Sequence, residues 1–316
     1  MLNLDSNNSA YVIEIEEDNK IEEDVLSDNI LVESDEILDE VDVEQEVNEE
    51  HHPRIETAVY DFLETADDRW REIELLILKA EENKNDMEFY DALCRATIIL
   101  MAAQLEGFVK DLIKAIISDL NDNVEFEVLP KAMKKTYIKY FVDNDNNHKI
   151  NSLQDVFKEF RVKLQATPFL LDHKNAAPGI IEKYVKNFGI EDFFSYLHNS
   201  ALDILFENEV EHSNKLIEEF KSYLVERIKN FPYTTELDTY NLVKDSIKVN
   251  KRNREDFLWV NFLDNLMQAR HSVAHGSLFN NDLTIETLKD YKRKSKILQY
   301  SIVTILTNKV CAENNN

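Results

Sequence analysis

Between Met87 and Leu120 the sequence has no polar side on which a helix could face water along its whole length. Its centre reads Ala96-Thr97-Ile98-Ile99-Leu100-Met101-Ala102-Ala103. A helix that is apolar on nearly every face must be surrounded by other elements, so it belongs at the middle of a bundle. The run 96–103 is about half of the ~20 apolar residues needed to span a bilayer, so no membrane segment is expected. With an acidic N-terminus that lacks a basic-then-apolar signal pattern, the expected location is cytoplasmic. The chain has 4 glycines and 5 prolines in 316 residues. A fold of many strands needs tight turns, and tight turns need both residues, which argues against an all-β class. Gly107, Gly179, Gly189 and Gly276 never fall within one loop, which excludes a glycine-rich phosphate cradle.

The flanking sequence keeps helical spacing. Ile55, Val59, Phe62, Leu63, Ala66, Trp70, Ile73, Ile77 and Ala80 recur mostly at intervals of three and four and predict a helix over 54–84. Asn85 or Asp86 is placed to cap the next helix, over 87–120. Two more strong helices are predicted near the C-terminus, over 254–275 and 284–311, the first stopped by Gly276 in the manner of a left-handed cap. Residues 121–250 predict shorter helices near 129–141, 153–164, 179–188, 191–206, 214–228 and 239–247. A strand is conceivable only at 124–128. The expected architecture is all-α: a bundle of core helices from 54–84, 87–120, 254–275 and 284–311, enclosing a helical insertion at 121–250.

The formal net charge is −26. Residues 1–50 hold 19 of the 62 acids and a single base, a net of −18, leaving −8 for the rest of the chain. Residues 1–52 therefore read as an acidic arm, too poor in apolar surface and too self-repelling to fold alone. Pro53 marks the boundary with a helical domain at 53–316. That domain is mildly acidic and can carry local basic surfaces. Cys94 and Cys311 are too few for a disulfide framework and read as buried thiols in a reducing compartment.

The densest polar signal is Ala269-Arg270-His271-Ser272-Val273-Ala274-His275-Gly276. On one helix Arg270 and His275 diverge by about 140°, whereas His271 and His275 share a face. His275 sits where the helix dipole favours a cation, and its imidazole can exchange protons near neutral pH. Arg270 supplies a permanent charge suited to phosphate. Arg and His without neighbouring carboxylates suit metal-free attack on a phosphodiester. Two other readings stay open on the residues alone. The dipole by itself selects Arg and His at a helix end. The His-x-x-x-His spacing also suits zinc, although Ser272 stands where a metalloprotease has Glu and no third ligand is near.

The stretch 270–276 resembles the Arg-x4-His motif of the HEPN superfamily (higher eukaryotes and prokaryotes nucleotide-binding domains). A second resemblance lies inside the apolar helix. Leu105-Glu106-Gly107-Phe108-Val109-Lys110 is similar to the E-G-F-x-K signature of the bacterial RiboL-PSP-HEPN branch. The resemblance implies a helical bundle that dimerises so that two Arg-x4-His motifs face each other across a cleft. It implies metal-independent RNA cleavage, with no cofactor, by attack of a ribose 2′-hydroxyl, leaving a 2′,3′-cyclic phosphate and a 5′-hydroxyl. In that scheme Arg270 holds the phosphate, His275 transfers protons and His271 occupies the polar slot between them. Glu106 and Lys110, four apart, form an ion pair that is structural or positions the motif. Gly107 is explained by a close helix–helix approach.

The expected partners are RNA, a second copy of the chain and an inhibitory or activating protein. A toxin or antiphage setting is what family context suggests, and a non-catalytic HEPN-type binding module is the alternative. Three basic clusters are candidates to guide RNA. Lys131, Lys134, Lys135 and Lys139 interleave with Tyr137 and Tyr140. Lys248, Lys251, Arg252 and Arg254 precede the motif. Lys289, Lys292, Arg293, Lys294 and Lys296 follow it. Basic and aromatic residues together suit single-stranded RNA.

Overall fold

The computed structural model describes residues 57–142, 147–170, 175–198, 200, 202–207, 210–233, 257–276 and 283–314. All belong to one compact unit, His52–Asn316. The acidic arm, the 239–247 helix and the Lys248, Lys251, Arg252 and Arg254 cluster lie outside the described residues.

Among the described residues every regular element is helical. The long apolar helix, α3 (Met87–Asn123), is the axis of the unit. Asp86 caps it, its side chain accepting from the Phe89 amide at 3.1 Å. Around it pack α1 (Ala58–Thr65), α2 (Arg71–Glu82), α10 (Leu258–Ala274) and α11 (Ile285–Asn314). Cys94, Ile98, Met101, Leu105, Phe108, Leu112, Ile113, Ile116 and Leu120 are buried along α3. By length and composition α3 also passes as a membrane span, but four helices lie against it, the setting of a core helix.

The helix predicted over 54–84 is two helices. Thr57 begins α1 by accepting from the Tyr60 amide at 3.1 Å. Asp119 of α3 caps the same end, accepting from the Ala58 and Val59 amides at 2.6 and 2.9 Å. A 3-10 turn, Ala66–Trp70, then separates α1 from α2. Long-range anchors hold that turn. Asp67 lies 2.6 Å from Lys221 and 3.0 Å from Lys296. Tyr300 donates its hydroxyl to Asp67 at 3.1 Å. Trp70, fully buried, donates Nε1–H to Gln299 at 3.1 Å. Periodicity cannot register anchors supplied by residues more than 150 positions away.

Between α3 and α10 lie α4 (Lys131–Tyr140), α5 (Asn147–Glu159), α6 (Pro178–Lys186), α7 (Phe193–His198), α8 (Leu202–Glu207) and α9 (Val210–Ile228). The stretch 124–128 is a turn and not a strand: Phe126 is buried and the Val128 amide bonds the Glu125 carbonyl at 3.0 Å. The helix expected at 153–164 starts and ends earlier. Arg161 takes a left-handed conformation (φ 47°) and the Val162 amide reaches back to Phe157 O at 3.0 Å, closing α5. The helix expected over 191–206 is split at Ser200. That hydroxyl donates to Leu197 O at 2.6 Å and accepts from the Leu202 amide at 3.3 Å. These bonds compete with helix continuation.

Candidate functional site

Helix α10 carries the Arg-x4-His motif and ends as the sequence predicts. The His275 amide bonds His271 O at 3.0 Å, the Gly276 amide bonds Val273 O at 3.1 Å, and Gly276 has φ +66°. A left-handed residue at this point favours glycine. Phe262, Leu263 and Leu266 are buried and hold the helix to the core.

Arg270 and the two histidines leave α10 in different directions. Arg270, half-buried, lines a cavity of about 70 Å³ between α10 and α3. Met267 shares its α10 wall, and Ile99, Ala102, Ala103 and Glu106 form the α3 wall. Asn175 completes it. His271 and His275 are exposed on another side, their ring centroids 4.2 Å apart and tilted by 51°. None of the three enters an ion pair among the described residues. The cavity brings Glu106 of one motif and Arg270 of the other, 164 positions apart in sequence, to a single site. Among the described residues no group of three or more His, Cys, Asp or Glu has metal-binding geometry.

The E-G-F-x-K segment divides its duties around α3. Lys110 Nζ meets Glu106 Oε1 at 2.6 Å, both side chains being a little over a quarter exposed. Phe108 is fully buried, with its ring 4.9 Å from that of Phe62. Gly107 does not answer to a close helix approach, as the sequence had suggested. A Cβ built there would meet only Arg69 Nη1, at an ordinary 3.9 Å. Arg69 is held by Asp111 at 2.8 Å and lies 5.6 Å from the Phe62 ring centroid.

The basic clusters are placed differently from the sequence expectation. Tyr137 is buried, so it has no face to offer a base; its ring packs at 5.2 Å from Phe141 and 5.6 Å from Phe157. Lys135 is exposed, and Lys134 donates to Glu127 O at 2.6 Å. On α11, Arg293 is 5% exposed and bonds Phe206 O at 3.1 Å and Asp290 at 2.7 Å. Lys296 is also buried, against Asp67. Lys289 pairs with Glu81 at 3.0 Å, Lys292 with Glu74 at 2.6 Å and Lys294 with Asp290 at 2.7 Å. Helical spacing alone made this cluster look like one solvent-facing surface; acids from α2 and the 3-10 turn claim it instead. Cys94 is buried, as read from its setting.

Compared with known families, residues 65–208 match RiboL-PSP-HEPN. The match to this HEPN family covers a little under half of the chain. The HEPN match takes in Glu106, Gly107, Phe108 and Lys110 and runs on through the helices expected to be an insertion. It ends before α10, so the HEPN assignment and the Arg270–His275 pairing stand on separate observations. No curated protein and no solved structure matches the chain. HEPN domains are commonly nuclease or RNA-related, and they often dimerise.

Proposed function

We propose that this HEPN protein is a metal-independent endoribonuclease whose site is built on Arg270, His271 and His275. The observation that carries this reading is the shared cavity: Arg270 and Glu106 line it together, and Glu106 lies within the segment that matches the family. Glu106 is itself held by Lys110. Among the described residues Arg270 enters no ion pair, which leaves its charge available to a phosphate.

In the proposed reaction the ribose 2′-oxygen attacks the adjacent phosphorus. The 2′-proton is taken up by an imidazole, the bond from phosphorus to the 5′-oxygen breaks, and the departing oxygen gains a proton. A cyclic phosphate and a 5′-hydroxyl remain. Arg270 offsets the charge that accumulates on the phosphoryl oxygens, and His275 is the proton carrier. Because Arg270 and His275 diverge on α10, one helix cannot place both on one phosphate. A second copy solves this, since groups that diverge on one protomer converge across a two-fold axis. Exposed Ile99 and Ala103, beside Arg270 on α3, offer apolar surface for that contact. A toxin or antiphage role follows from the family setting of such enzymes.

A second reading has a specific observation in its favour. The α11 cations are already neutralised by Glu74, Glu81, Asp67 and Asp290, as suits a HEPN module that binds a protein partner and cleaves nothing. Cleavage of end-labelled RNA in excess EDTA decides between the two. The ribonuclease reading expects cyclic-phosphate ends from the wild type and a loss of at least about 10²-fold in Arg270→Ala and His275→Ala. Equal products from all three proteins, or none from a folded, dimeric wild type, would leave the binding module.

A further inference from the structure

A second cavity opens on α10, its near edge about one and a half turns before the motif. Its volume is about 450 Å³, enough for one nucleotide and far larger than the cavity at Arg270. Its apolar wall is Leu258, the half-buried Tyr291 and the little of Phe206 and Phe262 that is not buried. Phe262 packs edge-on against the other two rings, with centroids 5.6 Å from Phe206 and 5.7 Å from Tyr291. Phe206 is braced from behind by Trp259, stacked at 4.1 Å. Trp259 is in turn fixed by its Nε1–H bond to Asp203 at 2.6 Å. The ring cluster is therefore pre-organised and does not depend on a ligand for its shape.

The polar contributions are two exposed carboxamides, Asn261 and Asn265, one helical turn apart on α10. Lys294 also reaches the cavity, but its charge is met by Asp290 at 2.7 Å, and its Nζ lies 5.4 Å from the Phe206 ring centroid. The lining is thus partly aromatic and nearly neutral. It suits an uncharged planar ring with hydrogen-bonding edges, and it does not suit a phosphate. A carboxamide presents a donor and an acceptor side by side, the pattern that reads a base edge. Tyr291 is the ring of the three with surface left to stack on a base.

Steps of three and four residues from Asn265 pass Gln268 and reach His271 and His275, turning by about 120° around α10 between Asn265 and His271. All three are exposed. From Asn265 to His271 the rise is about 9 Å, a distance that a nucleotide backbone crosses in one or two units. We infer that the Phe206–Phe262–Tyr291 cavity, with Asn261 and Asn265, binds an unpaired RNA base next to the cleaved phosphate and sets the sequence preference of cleavage. This rests on the ribonuclease reading. Asn261 and Asn265 are specificity residues here and take no part in the bond-breaking step.

The test uses the full chain and the Asn261→Ala/Asn265→Ala double variant, whose changes fall on exposed helical positions. Both are given a pool of single-stranded RNAs randomised in sequence, and the product ends are sequenced. The wild type should show a preference of at least about tenfold for one base at one position flanking the cut. The double variant should lose that preference, its remaining cuts spread over the four bases at that position. A preference that survives in the double variant overturns the cavity assignment and leaves the ribonuclease reading intact. If the wild type cuts no RNA, the ribonuclease reading fails by itself, and calorimetric titration judges the cavity. Adenosine, guanosine, cytidine and uridine 5′-monophosphates are titrated into His275→Ala chains with and without the two Asn changes. Binding that weakens by about tenfold without the asparagines supports a base site; no binding, or equal binding, overturns it.

Discussion

The C-terminal turn of α10 and the first half of α11 use the same kinds of residue to opposite ends. Arg270, His271 and His275 occupy one; Lys289, Lys292, Arg293, Lys294 and Lys296 occupy the other. On α10 no carboxylate among the described residues pairs with the motif. On α11 each of those five cations has an acid within 3.0 Å. A cation neutralised by a fixed neighbour offers little field to a phosphate, whereas an unpaired one retains it. What separates a candidate site from scaffold is the set of neighbours, and sequence alone shows only the residue types.

The contrast breaks first on paired substitutions. His275→Ala should cost RNA cleavage at least about 10²-fold and leave thermal unfolding almost unchanged, because exposed positions usually move stability by less than about 0.5 kcal/mol. Lys296→Ala should do the reverse. It strands Asp67, which also meets Lys221 and Tyr300. Breaking a buried pair costs about 3 kcal/mol, and the 30% exposure of Asp67 reduces that to about 2. Melting should fall by about 5 °C, with cleavage retained once the variant is held below its melting range. If Lys296→Ala abolishes cleavage while melting normally, the division between site and scaffold is wrong.

The same hub predicts acid sensitivity. Burial alone would raise the Asp67 carboxyl, but its bonds and ion pairs with Lys221 and Lys296 outweigh burial and hold it below the usual carboxylate value of 3.8. A depressed folded-state pKa gives stability that is fully present above 3.8 and is lost as pH falls through the lower, folded value. Asp67→Asn should therefore lower melting at neutral pH and flatten the loss of stability on acidification. Parallel acid curves for variant and wild type would show that the hub contributes nothing to this dependence.

Smaller effects are expected at the rim of α11. Lys289 and Lys292 pair with Glu81 and Glu74 at partly exposed sites, where an ion pair contributes about 0.5 kcal/mol or less. Replacing both with Ala should shift melting by no more than about 4 °C and leave the salt dependence of RNA binding unchanged. A shallower salt slope would mean that these lysines meet phosphates after all.

Much of this fold is legible in the sequence because the information is local. The long α3, its Asp86 cap and the Gly276 stop depend on spacing and on residues within one turn. The 3-10 break at Ala66–Trp70 is not legible, since Lys221, Lys296, Gln299 and Tyr300 create it from afar. The stretch 191–206 reads as one helix because Ser200 carries no strong breaker signal. At the site, the two motifs were visible separately, but their meeting at one cavity was not. Tyr137 shows the limit most plainly: alternation with lysines suggested a surface for bases, yet its ring is buried among Phe126, Phe141 and Phe157. Asn261 and Asn265 are silent in the sequence, because amides on a helix face carry no signal without the cavity beside them.

Gly107 gives the smallest and cleanest test of the contrast between site and scaffold. It lies next to Glu106 in the segment shared with the family, so its presence invites a functional explanation. Its surroundings do not require glycine. It is helical, its φ is ordinary, and an added Cβ would touch only the end of Arg69 at 3.9 Å. Glycine in a helix interior is about 1 kcal/mol less favourable than Ala. Gly107→Ala should then stabilise the protein by up to about 1 kcal/mol, raising melting by about 2–4 °C, with cleavage unchanged. A variant that is more stable but inactive would mean that the bare backbone at Gly107 serves a partner or substrate. In that event the site would extend along α3 beyond the cavity shared by Glu106 and Arg270.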